Sequence, residues 1–268
     1  MPDRQFRTGD VTLRYRDEGA GPAIVFIHGW TLDLDLWEQQ AARLCNSMRV
    51  LRFDRRGFGL STGRPDPAAD AGDLVALLDH LQVELAVVVG MSQGARAALA
   101  VALRFPGRVA ALVLDGPPDF AGEGAAEADA DLSLAPYREL VRESGLDEFR
   151  RAWREHPLMQ LRTDDQAARA LLDRMLARYP GADLAAEPAG GEAADIGALA
   201  RLTLPVLIVN GSADTPARIA AGDRLERLLP RAVRGWVLGA GHLANLDNPV
   251  VYDEVLRTFL SRQSRAAA

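Results

Sequence analysis

The sequence predicts an α/β fold: a mostly parallel sheet of about eight strands, with helices on both faces. Three observations carry that expectation. Short, continuous apolar runs rich in Val, Ile and Leu recur along the chain, and such runs suit strands buried on both sides. Stretches with helical spacing fall between them. The 268 residues are also enough to bury a full sheet beneath two helical layers.

The elements follow in order. "VTLRYR" at 11–16 alternates and suits a half-exposed edge strand. "AIVFI" at 23–27 is a fully buried strand by its continuity, and "RVLRF" (49–53), "LAVVV" (85–89), "ALVLD" (111–115) and "PVLIVN" (205–210) repeat the type. "RGWVL" at 234–238 reads as the last strand. Residues 73–81 carry apolar side chains at 74, 77, 78 and 81, which is helix spacing. Residues 93–105 form a small-residue helix suited to close packing on a sheet, and 217–229 and 250–261 are two more. The last is introduced by Asn248-Pro249, a capping residue and then a proline for the first turn.

Residues 116–204 break this rhythm. The stretch 116–133 is rich in Gly, Pro, Ala and acid and reads as a mobile connection. Helices are expected near 136–155 and 164–178, and 181–197 again looks like loop. The chain therefore divides into a core of 1–116 with 205–268 and an inserted helical cap of 117–204. That insertion stands where it would cover the carboxyl ends of the strands, the place where open α/β sheets bind ligands.

Composition narrows the function. With 48% hydrophobic and 25% charged residues the chain has an ordinary soluble composition. A net charge of -6 argues against a nucleic-acid partner. All 31 basic residues are arginine, which codon bias explains without a functional cause. Cys45 stands alone, so no intrachain disulfide forms, and it reads as a small core residue. The polar start "MPDRQFRTGD" has no signal-peptide character and no apolar run spans a membrane, so a cytoplasmic enzyme for a small molecule is expected. No histidine pair has metal-ligand spacing and no nucleotide-type glycine fingerprint occurs, so neither metal nor organic cofactor is expected. Oligomeric state is not legible.

The chemistry centres on Gly90-Met91-Ser92-Gln93-Gly94, a G-x-S-x-G with an apolar strand before it and a helix after. A serine on such a turn is lifted above the sheet, bulk two residues either side would clash, and the next helix points its N-terminus at developing negative charge. A serine hydroxyl needs a base. Of His28, His80, His156 and His242, only His242, in the loop "LGAGHLANLDNP", follows the last strands as a base should. His80 reads as a partly exposed helix residue, His156 as a histidine of the cap beside Pro157, and His28 as a brace for its own loop. Two carboxylates end apolar strands and could orient the base: Asp214, preferred for its loop context and chain order, and Asp115 as the alternative. Backbone N–H groups of Gln93 and of Trp30, in His28-Gly29-Trp30, are the oxyanion donors expected. The Trp30 indole is a candidate pocket wall. The loop 54–61, "DRRGFGLS", reads as a structural ion pair and turn.

With these residues in place the chain resembles the α/β-hydrolases, over roughly residues 6–262. The matching motifs are H-G-x at 28–30, D-x-R-G-x-G-x-S at 54–61, G-x-S-x-G at 90–94, Asp-x-Pro at 214–216 and G-x-G-H at 239–242. "GSADTP" and "GAGHLANLDNP" look most like the branch of 3-oxoadipate enol-lactonases, small esterases and cofactor-free haloperoxidases or perhydrolases. The serine speaks against the haloalkane dehalogenase and epoxide hydrolase branches, which carry Asp in its place. The acidic, alanine-rich start of the cap departs from the pattern.

The resemblance implies a serine hydrolase that cleaves a carboxylic ester or lactone of a small apolar substrate through an acyl-enzyme. Alternatives on the same triad are a C–C bond hydrolase and a perhydrolase or acyltransferase; a non-catalytic ligand receptor on this fold is the rival from another class. Met91, Trp153, His156, Leu158 and Met159, with Trp30, are the expected substrate-binding residues. Phe149, Leu161 and Met175 are further candidates; at helical spacing these, with Trp153, Leu158 and Met159, are more often the cap's own core. The arginines of "FRRAWREH" read as a solvated face, one of which could meet a substrate carboxylate.

Overall fold

The computed structural model describes residues 2–120, 132–185 and 196–266. The eight strands are β1 (Arg4–Thr8), β2 (Val11–Glu18), β3 (Ala23–Ile27), β4 (Arg49–Phe53), β5 (Ala86–Met91), β6 (Val109–Asp115), β7 (Val206–Gly211) and β8 (Ala232–Val237). They form one sheet in the order β1-β2-β4-β3-β5-β6-β7-β8. Only β2 is antiparallel to its neighbours; from β4 across to β8 every pairing is parallel. The expected α/β architecture with a mostly parallel sheet is the one observed. The strand missed in the sequence is β1, "RQFRT". It is polar and largely exposed, and a polar edge strand carries no burial signal.

Helices α1 (Glu38–Leu44), α2 (Asp70–His80), α3 (Gln93–Arg104), α4 (Ala135–Ser144), α5 (Leu146–Arg154), α6 (Gln166–Arg178), α7 (Ile196–Ala200), α8 (Pro216–Leu228), α9 (Ala244–Asp247) and α10 (Pro249–Ala266) complete the described chain. Strand alternation sends Val25, Ile27, Val88 and Leu112 to one face, where they pack with α2, α3 and α8. Phe26, Val87, Val89 and Val113 face the other side, against Trp37, Tyr252 and the inserted helices. No described helix is long and apolar enough to cross a membrane.

Helices α4 to α7 lie between β6 and β7 in the chain. The single helix expected near 136–155 is two, broken at Gly145, whose φ of 83° ends α4. The mobile connection expected across 116–133 falls mostly on residues 121–131, and the second loop mostly on 186–195; both lie outside the described residues. Cys45 is not a core residue. It closes α1 half-buried at the margin of the core. His80 is exposed at the end of α2 and stacks on Phe6 at 4.5 Å.

The strand order explains where a site can form. From β3 the chain passes to β4 on one side and then returns to β5 on the other, so the loops after β3 and β5 diverge. The crevice between such loops is the usual ligand position in open α/β sheets. Ser92 and His28-Gly29-Trp30 leave the sheet at that point.

Candidate active site

Ser92 sits between β5 and α3 with φ 53° and ψ -118°, a conformation that costs a non-glycine residue about 1–3 kcal/mol. Neighbouring bonds hold it there: its N–H donates to the Asp115 carbonyl at 2.7 Å. The flanking glycines are required by contact. A Cβ on Gly94 would lie 2.5 Å from the His28 and Ile27 carbonyl oxygens, and one on Gly90 would lie 2.2 Å from the Gly94 carbonyl. The turn is therefore wedged between β3 and its own helix. Gln93 opens α3, so its backbone N–H has no acceptor within the helix.

The loop after β3 lies directly on this turn, since a Cβ on Gly29 would lie 3.4 Å from the Ser92 Cβ. His28 is fully buried and accepts the Arg55 backbone N–H at its Nε2 (2.9 Å), while its Nδ1 pairs with the Gly29 carbonyl (2.7 Å). Burial, with the Arg55 charge nearby, lowers its pKa to about 3, so it is a neutral spacer. Arg55 does more than form the ion pair expected of its loop. It pairs with Asp70 and donates to the Gln93 side-chain oxygen at 2.7 Å, fixing the residue that follows Ser92.

His242, 2% exposed, faces the same cavity. Its Nδ1 lies 3.1 Å and 3.2 Å from the two Asp214 carboxylate oxygens. Asp214 also accepts from the Thr215 N–H (2.8 Å) and from the Asn210 side-chain amide (3.0 Å). Burial pushes the Asp214 pKa up, but His242 and these donors outweigh it and hold the carboxyl below its ordinary value. Asp214 is thus ionised at neutral pH, and the ring proton belongs on Nδ1. The His242 Nε2 is buried without a hydrogen-bond partner among the described residues, leaving its lone pair for a proton. Ser92 and His242 line one cavity but are not hydrogen-bonded to each other.

Asp115, the alternative acid, ends β6 fully buried. It lies near enough to the Tyr252 hydroxyl to feel it, yet outside hydrogen-bond geometry with any described group. Burial, reinforced by Asp214, drives its pKa well above the ordinary value. Burial thus disfavours the charge on Asp115, which makes no hydrogen bond to His242, whereas Asp214 does, so Asp214 is the carboxylate placed to orient the base.

The cavity is lined by five of the six expected substrate-binding residues: Trp30, Met91, Trp153, Leu158 and Met159. Leu32 and Leu132 line it too and were not anticipated, because each lies in irregular chain without periodicity. His156 does not line it. It stacks on Trp153 at 4.6 Å and caps the turn Pro157–Met159, accepting the Leu158 N–H. Phe149, Leu161 and Met175 are buried in the packing behind the cavity. Three further contributors were not foreseen. Asn210 steadies Asp214. Gly116, at φ 51°, leaves room for the base: a Cβ there would lie 2.7 Å from the His242 ring. Asp247 accepts the N–H groups of Gly241 (2.7 Å) and Thr163 (3.2 Å), joining the His242 loop to the insertion. Among the described residues no His, Cys, Asp or Glu cluster suits a metal ion.

Against known proteins, the family described as "alpha/beta hydrolase fold" matches residues 22–249. The chain is similar to 3-oxoadipate enol-lactonase 2 of Acinetobacter baylyi, at 28% identity over 94% of both chains. It is likewise similar to the 2-(acetamidomethylene)succinate hydrolase of Mesorhizobium japonicum, at 28% identity over 96% of this chain and 94% of that one. Among solved structures, an esterase from Rhodococcus sp. ECU1013 superposes with a TM-score of 0.81 at 26% identity, covering 97% of this chain and 99% of the other.

Proposed function

The chain belongs to the α/β hydrolase fold family, and from that premise we propose that it is a serine hydrolase of small apolar esters or lactones. The observation that carries this reading is the buried Asp214–His242 pair sharing a cavity with the strained Ser92. His242 Nε2 takes the Ser92 proton as Oγ bonds to the substrate carbonyl carbon. The carbonyl oxygen, now negative, is met by the backbone N–H groups of Gln93 and Trp30. The imidazolium, stabilised by Asp214, returns its proton to the leaving alkoxide as the C–O bond breaks. Water then attacks the acyl-enzyme, again giving its proton to Nε2, and Ser92 leaves with that proton. Residues 117–204 act as the cap that excludes bulk water from these steps.

The test is a panel of p-nitrophenyl esters of increasing acyl length and of simple lactones, run on wild type and Ser92→Ala, with fluorophosphonate labelling alongside. Ser92→Ala is expected to lose about 10³-fold or more in kcat and all labelling, with its fold retained. Turnover by Ser92→Ala near the wild-type rate would remove Ser92 from the mechanism.

A further inference from the structure

We propose that this site selects uncharged acyl groups and rejects substrates that carry a carboxylate; the inference rests on the serine hydrolase reading. It separates the chain from two of its curated relatives, whose names carry an adipate and a succinate.

The observation is an accounting of cations. Among the described residues, every one lining the cavity apart from Ser92 and His242 is apolar, and none of these apolar residues bears a positive charge. Several nearby arginines are committed elsewhere, while Arg162, beside Gly241, and Arg96, which donates to the Asp119 carbonyl, stand outside the lining. Arg55 is held by Asp70 and Gln93, Arg178 by Asp33 and Asp35, and Arg150 by Asp147 and the Tyr179 carbonyl. Arg154 pairs with Asp173 and the Met159 carbonyl, and Arg151 with Glu148. The "FRRAWREH" arginines therefore make contacts within the insertion and do not line the cavity. Arg138, half-buried on α4 near Tyr179, also stands outside the lining.

Two chain stretches reach the site, through Leu132 and through Asp183, whose carboxylate accepts the Trp30 indole N–H at 2.6 Å. By sequence, 117–134 holds five carboxylates and 179–200 holds four, and neither stretch has a single basic residue. A substrate carboxylate would lose its water against Trp, Leu and Met side chains and find no cation in return. A carbonyl flanked by hydrocarbon does not meet that obstacle.

Three ethyl esters of one shape test this: ethyl 4-methylpentanoate, ethyl succinamate and monoethyl succinate, which end in isopropyl, amide and carboxylate. The expected kcat/KM falls in that order, with monoethyl succinate at least tenfold below ethyl 4-methylpentanoate at low salt. Monoethyl succinate within tenfold of its isopropyl counterpart, or better, overturns the proposal, and loss of that activity in Arg138→Gln would then name the cation. The same ranking is read as binding to the Ser92→Ala protein by saturation-transfer NMR. If wild type turns over none of the three while that binding order persists, the pocket selects as proposed and the hydrolase reading is what fails.

Discussion

At the scale of single residues, Asp115 has the clearest energetic consequence. Its carboxyl is sealed inside the protein, and its pKa there is raised well above the ordinary value by burial and by Asp214. In the unfolded chain it ionises near pH 4. As pH rises from that point toward the folded-state pKa, the unfolded state gives up a proton that the folded state keeps, and stability is lost. Asp115→Asn removes this dependence. Denaturant melts are expected to show the variant gaining on wild type from pH 4 upward, by at most about 1.4 kcal/mol per pH unit. A gap that does not widen between pH 4 and 8 contradicts the raised pKa. The sequence preferred Asp214 on loop context and chain order but left Asp115 as an alternative, because both end apolar strands. What separates them is burial without donors in one case and the Asn210, Thr215 and His242 partners in the other. Such partners come from chain folding over the strand ends, and neither spacing nor residue type announces them.

At the scale of elements, two indoles cross between the β3 loop and the insertion. Trp30 donates to Asp183, which also accepts from the Tyr179 hydroxyl, and Trp153 of α5 donates to Thr31 at 2.8 Å. Thr31 itself sits at φ 64°. The loop carrying one expected oxyanion donor is thus braced from below by His28 and from above by the insertion. Asp183→Asn, which weakens a charge-assisted bond, is expected to lower kcat about 5- to 10-fold with KM little changed. Trp30→Phe should cost a similar amount and the double variant clearly less than the sum of the two, since both weaken the same Trp30–Asp183 contact. Independent, additive losses, or a change confined to melting temperature, would argue against the brace. Secondary elements with a burial signal, such as "AIVFI" and "ALVLD", were legible because continuous β-branched runs have few other uses. The short α1 and polar β1 were not, since a helix of two turns or an exposed edge leaves no periodic trace.

At the scale of the whole molecule, the fold was legible because five motifs fall at five strand ends in one chain order. The cavity was legible in its residues and not in its closure. Trp153 and Met159 read more often as packing, and only the path of the insertion decides which of its apolar side chains line the cavity. Acid sensitivity is also a global property, and His28 contributes to it. Its pKa is lowered to about 3 by burial and by Arg55, against about 6.5 in an unfolded chain. Its contribution is therefore full above pH 6.5 and declines as pH falls toward 3, by at most about 1.4 kcal/mol per unit. His28→Gln should lack this slope, so the stability difference between wild type and variant should shrink from pH 6.5 to 4; a constant difference would place the acid loss elsewhere. The crossed indoles have an optical consequence as well. The chain has four tryptophans, and two of them, Trp30 and Trp153, wall the cavity while Trp37 is sealed in the core and Trp236 faces solvent. Half of the indole fluorophores therefore report on one space. Lifting the insertion would wet both indoles and move their emission to the red, so entry of a colourless substrate can be followed in the unlabelled protein.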